Sequence, residues 1–307
     1  MTARPDDGTL HAMHTTHKPP PAAILVVPLI AALVLTLFAW PAARIGPRDL
    51  PVGVVGHQPV PTGAFDVHRY ATEAAARDAI EAREIYGALA GAKVLVASAA
   101  SPAVAQLLTH AADGRPVEDV VAAPKAGNAL GASVLPLVLG GVLTGICGAV
   151  LAAGFWRRTA LLVAGSVGTG LAATLIIQTW LGVVAGDWWA NAAALSLTVF
   201  AVAACVNGLE ALFGKAGLLA GALTMIFVGN PFSGAATSPE LLPAGAGSLG
   251  QLLPPGAGGN LLRSTGYFDG AAAGGHVVVL AAWAVAGLVL LALARRPRVA
   301  ALPALAR

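Results

Sequence analysis

The sequence predicts an α-helical polytopic membrane protein, with six transmembrane helices and an extracytoplasmic mixed α/β insert between the first two helices. The first observation is composition, because 57% of the 307 residues are hydrophobic, 11% are charged and the mean hydropathy is +0.76. A soluble domain has about 25% charged residues. The second is the length of the apolar segments, since a span needs about 20 apolar residues to match ~30 Å of hydrocarbon. The third is a long polar stretch, residues 44–128, after the first apolar segment.

The first apolar segment, residues 22–43, is predicted to be an uncleaved membrane anchor. It is longer than the core of a signal peptide, which has about 7–15 apolar residues. Residues 1–21 are polar and proline-rich and are predicted to form a disordered cytoplasmic tail. Five further spans are expected within 130–296, followed by a second cytoplasmic tail, 297–307. The predicted spans cover residues 22–43, 130–155, 159–182, 188–213, 216–236 and 274–294.

The fifth predicted span is interrupted. Its clean apolar run, Ala216–Val228, reaches only ~20 Å at about 1.5 Å per residue, and the sequence Gly229–Pro231 then breaks it. Unpaired backbone is tolerated at membrane depth only against protein or water, so we expect a broken helix whose outer part is buried against protein. The loop that follows, 237–272, is rich in proline and glycine and is predicted to hold short helices around Leu249–Leu253 and Gly259–Ser264.

The distribution of basic residues predicts the orientation. Arg157 and Arg158 lie between the second and third spans, Lys215 lies between the fourth and fifth, and the basic run 295–298 follows the sixth. The loop 182–187 has no Lys or Arg. Because short cytoplasmic loops carry an excess of Lys and Arg, both termini are predicted to be cytoplasmic and the insert to face the cell exterior.

The insert is predicted to alternate strands with two short helices. Strands are expected at Pro51–Val55, Ile85–Ala90, Lys93–Ala99 and Val117–Ala122, and helices at Thr72–Arg83 and from Ser101 to His110. The first helix is expected to bury Ala75, Ala79 and Ala82 on its inner side. Ser101 is expected to cap the second, with Pro102 at its first position.

No catalytic, cofactor-binding or metal site is predicted. Ser101, His110 and Asp113 could suggest a hydrolase, but Ser101 fits a helix cap and no nucleophile elbow is present. No nucleic-acid partner is expected, because the net charge of +3 arises from residues at helix ends and in the insert. Gln178 and Asn191 are predicted to make interhelical hydrogen bonds.

The most unusual charged residue near a span is Glu210. It lies near the predicted cytoplasmic end of the fourth span, three residues after Asn207. Carboxylates within membranes are costly and often functional. Two interpretations stay open: an interfacial anchor satisfied by water or by Lys215, and a gating or substrate role. Gly141 and Gly145 of the second span have the spacing of a close helix contact.

The order of parts resembles that of the ABC-2 type exporter permeases: one anchor span, an extracytoplasmic insert, then five spans with a broken fifth helix. The insert looks most like the phage-infection-protein branch of that family. Residues that carry the resemblance are Leu50–Gly56, Ala75–Gly87, Val96–Leu108, Asn230 with Pro231, Leu241–Pro243 and Pro254.

The resemblance implies a bacterial plasma-membrane permease. Such permeases pair as homodimers or heterodimers in the lipid bilayer and work with a separate cytoplasmic ATPase to export lipids, polymers or drugs. A path for a lipophilic or envelope-related substrate would lie between spans two, four and five, with 237–272 as an external gate. The candidate gating or path residues are Glu210, Asn207, Asn230 and Pro231.

The alternative is a non-transporting membrane accessory or surface protein whose extracytoplasmic domain binds a partner. The link Trp156–Arg158 between spans two and three is shorter than the helical loop through which family members contact their ATPase. This difference keeps the alternative open.

Overall fold

Five helices are long and apolar enough to cross a membrane in this computed structural model, which describes residues 21–56 and 63–294. This indicates a multi-pass membrane protein. The predicted tails 1–21 and 297–307 lie outside the described residues, except for Pro21. The candidate spans are Leu25–Ala43, Gly127–Leu151, Phe155–Trp180, Trp188–Phe213 and Ala273–Leu293.

The helices form two groups along the chain. Those of the insert are α2 (Glu73–Glu81) and α3 (Pro102–His110). The others are α1 (Pro21–Ala43), α4 (Leu130–Leu151), α5 (Phe155–Thr174), α6 (Trp188–Phe213), α7 (Lys215–Leu223), α8 (Ala246–Gln251), α9 (Pro254–Tyr267) and α10 (Ala273–Leu293). A π-helical turn extends α5 over Leu175–Trp180, and another extends α7 over Thr224–Gly229.

The predicted fifth span is a short helix, Lys215–Gly229, which is not among the five candidate spans. Its nine α-helical and six π-helical residues reach ~22 Å at about 1.5 Å per residue, so its crossing stays a prediction. The helix ends at Gly229, and the next residues form a turn, which confirms the predicted break. Phe232 and Ala235 after the turn are buried, as expected for backbone packed against protein.

The central helix of the bundle is α6, which packs against α4, α5, α7, α9 and α10. Glycines let the neighbouring backbones approach it. A Cβ added at Gly141 would lie 2.7 Å from Val202 Cβ, and one at Gly145 would lie 3.1 Å from Val206 Cβ. The close contact predicted for these two glycines is therefore confirmed, and the partner helix is α6.

The insert contains one five-stranded sheet in the order β2-β1-β3-β4-β5. All neighbouring pairs are parallel except β3 with β4. The mixed α/β insert is thus confirmed, but β2 was missed in the sequence, and β3, β4 and β5 are shorter than predicted. The strands are β1 (Leu50–Val55), β2 (Phe65–Tyr70), β3 (Gly87–Ala90), β4 (Lys93–Val96) and β5 (Val117–Asp119).

The two insert helices are capped as their sequences indicate. The side chain of Ser101 accepts a hydrogen bond from Val104 N, with Pro102 in the first turn of α3, which confirms the predicted cap. Helix α2 buries Ala76, Ala79 and Ile80, so the predicted burial of Ala75 and Ala82 was wrong. Ala82 is the C-cap, and the true apolar stripe follows the i, i+3, i+4 spacing from Ala76.

The insert lies at the same end of the bundle as 237–272. Gly46 N donates to Leu241 O, and Ser101 Oγ donates to Thr237 O at 2.7 Å. Tyr267 at the end of α9 donates to Val183 O in the loop between α5 and α6. The helix ends at the opposite side of the bundle line a separate cavity, described below. The insert and 237–272 therefore lie at one end of the bundle, and the second cavity lies at the other.

Candidate functional site

The junction between the insert and α9 contains a pair of arginines. Arg83 lies just beyond α2, where it adopts φ 61°. This left-handed conformation closes the helix, because Arg83 N donates to Ile80 O and Glu84 N donates to Ala79 O. Glycine is the residue usually found at such a position, and other side chains are strained there. An arginine at this position indicates that its side chain has a use.

The guanidinium of Arg83 binds α9. Its Nη1 donates to Asn260 O at 3.1 Å and to Ser264 Oγ, and its Nη2 donates to Asn260 Oδ1 at 3.1 Å. The same group lies over the ring of Phe268, 5.3 Å from the centroid, in cation–π geometry. These contacts attach the insert to α9.

The second arginine, Arg263, is on α9 itself and is only 3% exposed. Its Nη1 lies 3.3 Å from Asn260 Oδ1, its Nη2 donates to Ala235 O at 3.0 Å, and its Nε has no hydrogen-bond partner. The ion pairs among the described residues include neither Arg83 nor Arg263. The buried charge of Arg263 and the half-buried charge of Arg83 therefore share the neutral side chain of Asn260.

Burial and mutual repulsion have the expected electrostatic effect. Burial, and to a smaller extent the charge of Arg263, lower the pKa of Arg83 to about 10. Burial also lowers the pKa of Arg263. A pKa of about 10 still leaves Arg83 protonated at neutral pH. The charge of Glu240 acts in the opposite direction on both arginines, and its Oε2 accepts a hydrogen bond from Tyr86 at 2.8 Å.

A cavity of about 670 Å³ opens beside Arg83. We call it the junction cavity. The insert supplies one wall, the segment 239–251 a second and the start of α10 a third. Its polar lining includes Arg48, Arg83, Glu240, Gln251, Asn260 and His276. The guanidinium of Arg48 is occupied by the backbone carbonyls of Gly46, Leu241 and Leu242, so it holds the wall in place.

The opposite end of the bundle contains Glu210. Its Oε2 accepts from Arg158 Nη1 at 2.8 Å, with the two side chains 23% and 18% exposed. The expected partner Lys215 is not the one observed, because Arg158 at the start of α5 lies closer. Arg158 also donates to Ala149 O and Ala152 O, which lack partners within α4. A second cavity, of about 540 Å³, adjoins this pair.

The four candidate path residues do not form one cluster. Asn207 is buried on α6 and donates from Nδ2 to Gly145 O at 3.0 Å, one turn from Glu210. Asn230 and Pro231 lie beyond the far end of the Lys215–Gly229 helix, where Asn230 O accepts from Ser233. Val138, Val142, Val202, Val206 and Met225 fill the space between α4, α6 and the α7 extension. The path role of the four residues stays a prediction.

The junction residues Arg83, Asn260 and Arg263 were not singled out from the sequence. Arg263 offered a signal, since it is the only basic residue within 237–272. The predicted interhelical hydrogen bond is confirmed, because Asn191 Nδ2 donates to Gln178 Oε1 at 2.9 Å. Within the described ranges, no group of three or more His, Cys, Asp or Glu residues could hold a metal ion.

No family model matches the chain, and neither the curated proteins nor the solved structures contain a match. The relation to ABC-2 permeases therefore stays a proposal that depends on the resemblance of the sequence.

The Arg158–Glu210 ion pair provides the first prediction. Replacing Arg158 with methionine should lower the free energy of unfolding by about 1–3 kcal/mol, because Glu210 and two helix-end carbonyls lose a charged donor. The matched control is Arg157→Met, since Arg157 is exposed. Unfolding of the two variants in the same detergent would be compared by thermal or denaturant titration. Equal losses would show that the Arg158–Glu210 pair has no specific structural role.

Proposed function

We propose that this chain is a multi-pass protein of the bacterial plasma membrane that works as an exporter permease of the ABC-2 type. The proposed substrate is lipophilic or related to the cell envelope. The observation that carries the proposal is the junction cavity, which lies between the insert, the segment 239–251 that follows the interrupted Lys215–Gly229 helix, and the start of α10. Transporters commonly place their sites beside helices that are broken inside the membrane.

The segment after the break supports this proposal. Helix α9 is buried along nearly its whole length and packs against α4, α6 and α10. An element that is neither a span nor a surface loop is tolerated at membrane depth where it lines a cavity or is enclosed by protein. With the Lys215–Gly229 helix counted as a sixth crossing, the insert and 237–272 lie outside the cell. They would then form the external side of the path.

The proposed orientation follows from charge. Arg157, Arg158 and Lys215 lie at the end of the bundle opposite the insert, and the positive-inside rule assigns that end to the cytoplasm. Both termini would be cytoplasmic. The proposed partners are the lipid bilayer, a separate cytoplasmic ATPase and a second copy or related subunit. Helix α1 leaves room for lipid or for such a subunit, since only 6% of its apolar window is buried.

One observation favours a second candidate function. The link between α4 and α5 consists of residues 152–154, and Gly214 alone connects α6 to α7. Within the parts of the chain that the structure describes, the proposed cytoplasmic end thus offers little surface to hold a motor protein. A non-transporting accessory protein, whose insert binds an envelope or secretion partner, fits these short links.

A deletion strain tests export directly. We expect it to accumulate at least one member of a panel of lipophilic compounds and lipids to a higher level than the parent strain. Wild-type protein expressed from a plasmid should restore the parental level, and an empty plasmid should not. Equal accumulation across the panel would contradict export.

Isolation of the tagged protein from mild detergent distinguishes the two candidates. Co-purification of an ATPase in stoichiometric amount would support the permease. Co-purification of an envelope or secretion component in its place, lost when the insert is removed, would support the accessory protein.

A further inference from the structure

The arginine pair at the junction is costly for the fold to maintain. Arg263 is buried and Arg83 is half-buried, their charges repel each other, and their hydrogen bonds go to neutral acceptors. Burying a charge without an opposite charge disfavours folding. If attachment of the insert to α9 were their only purpose, neutral donors could fill the same positions. An anion beside Arg83 would offset the repulsion and would account for both charges.

The junction cavity provides room for that anion. Arg83, Asn260 and Gln251 share its lining, so polar side chains from the insert, α9 and the end of α8 meet at one space. Asp49 and Glu240 also contribute to the lining and would oppose an anion. Asp49 is exposed to solvent, and Tyr86 binds Glu240 Oε2, so neither carboxylate contacts the arginine pair within the described residues.

The position of the cavity indicates where such an anion would come from. Ala272 and His276, at the start of α10, line it. Since a spanning helix begins near the headgroups, a crossing by the candidate span α10 would place the cavity where lipid headgroups meet the hydrocarbon. Arginine recognises phosphate through parallel N–H donors, and basic pockets between helices bind anionic headgroups.

We propose that the junction cavity binds the phosphate group of an anionic phospholipid, with Arg83 as the main donor and Arg263 as a second, buried positive charge. The site goes beyond the proposed function, because a resident phospholipid would occupy it whether or not the protein exports a substrate. Binding would also strengthen the attachment of the insert to α9, because Arg83 takes part in both.

The test uses the full-length protein purified in a neutral detergent and a fluorescent phosphatidylglycerol as the probe, with phosphatidylcholine as the neutral lipid. Wild-type protein should bind phosphatidylglycerol saturably and phosphatidylcholine much more weakly. Arg83→Gln should weaken phosphatidylglycerol binding by at least about tenfold, which is the effect expected for one charge-assisted contact. The control Arg69→Gln should leave binding unchanged, since exposed Arg69 donates to Gly56 O on the sheet edge and does not line the junction cavity as the described residues form it.

A second variant keeps the test decisive if Arg83→Gln fails to fold. Glu240→Gln removes a negative charge from the lining while its amide oxygen can still accept the hydrogen bond from Tyr86. It should tighten phosphatidylglycerol binding by about threefold. A merely structural role of the junction would not produce opposite changes in the two variants. Thermal unfolding of each variant shows whether the fold is retained.

Inorganic phosphate separates the two sources of the anion. If it fails to compete, the site recognises a headgroup together with its lipid. If inorganic phosphate binds and competes, the site accepts a free phosphate ion through the same donors. Equal binding of the two lipids by the wild-type protein would overturn the proposal, as would unchanged affinities in folded Arg83→Gln and Glu240→Gln.

Discussion

Replacing Gly287 with alanine is expected to lower the free energy of unfolding by about 2–3 kcal/mol, the upper part of the range for overpacked cores. Gly287 lies where α10 crosses α6. A Cβ at this position would overlap the backbone of Ala204 and lie 2.7 Å from Cys205 N. Backbone atoms of a packed helix cannot move aside as a flexible side chain can. The two helices would have to separate along their whole contact.

The control is the same change at Gly168 on α5, where an added Cβ has no neighbour within 4 Å. Removing a helical glycine there should be neutral or stabilise the protein by up to about 1 kcal/mol. Both variants would be unfolded in the same detergent and monitored by circular dichroism. A loss at Gly287 no larger than that at Gly168 would show that the α6–α10 contact is loose.

The membrane helices could be predicted because their signal is local. Length and low charge identify a span without knowledge of its neighbours. Interhelical hydrogen bonds could be predicted for Asn191 and Gln178 because both lie near the ends of spans, and the structure shows that they bind each other. The Lys215–Gly229 helix was identified as unusual because Gly229–Pro231 interrupts it in the sequence. Whether a helix of that length crosses depends on how the bilayer meets the bundle.

The insert was predicted less well, because its strands are short and their burial depends on neighbours. Strand β2, Phe65–Tyr70, alternates apolar and polar residues but includes Asp66, His68 and Arg69, which obscured it. It lies at the edge of the sheet, where such residues are common. The stripe of α2 was misplaced because several consecutive alanines allow more than one inner face.

The junction could not be predicted, because its partners are remote in sequence. Arg83 and Asn260 are 177 residues apart, and no local pattern indicates that they meet. Arg83 ends an amphipathic helix, where a basic residue is ordinary. What sets Arg83 apart is its φ of 61° and its contacts with α9, which only the folded chain shows. Polar residues within spans, such as Glu210, therefore directed attention to the opposite end of the bundle.

Asn260 connects the stability of the junction to its charge. Its Oδ1 accepts from Arg83 and Arg263, and its Nδ2 donates to Gln251 Oε1 at 2.7 Å. Replacing Asn260 with alanine should lower the free energy of unfolding by about 3 kcal/mol, because two guanidinium groups lose their shared acceptor. The measurement is denaturant unfolding of the purified protein. A loss below about 1 kcal/mol would show that other groups satisfy the arginines.

Asn260→Asp is the matched variant, since it keeps the shape and the acceptor and adds a negative charge between the arginines. It should retain most of the stability that Asn260→Ala loses, because the attraction to two guanidinium groups offsets the lost donor to Gln251. The same internal carboxylate should weaken binding of phosphatidylglycerol, since it neutralises the charge that attracts the phosphate. Stability would then be largely retained while lipid affinity falls in the same variant, as expected if the arginine pair is kept charged for a ligand.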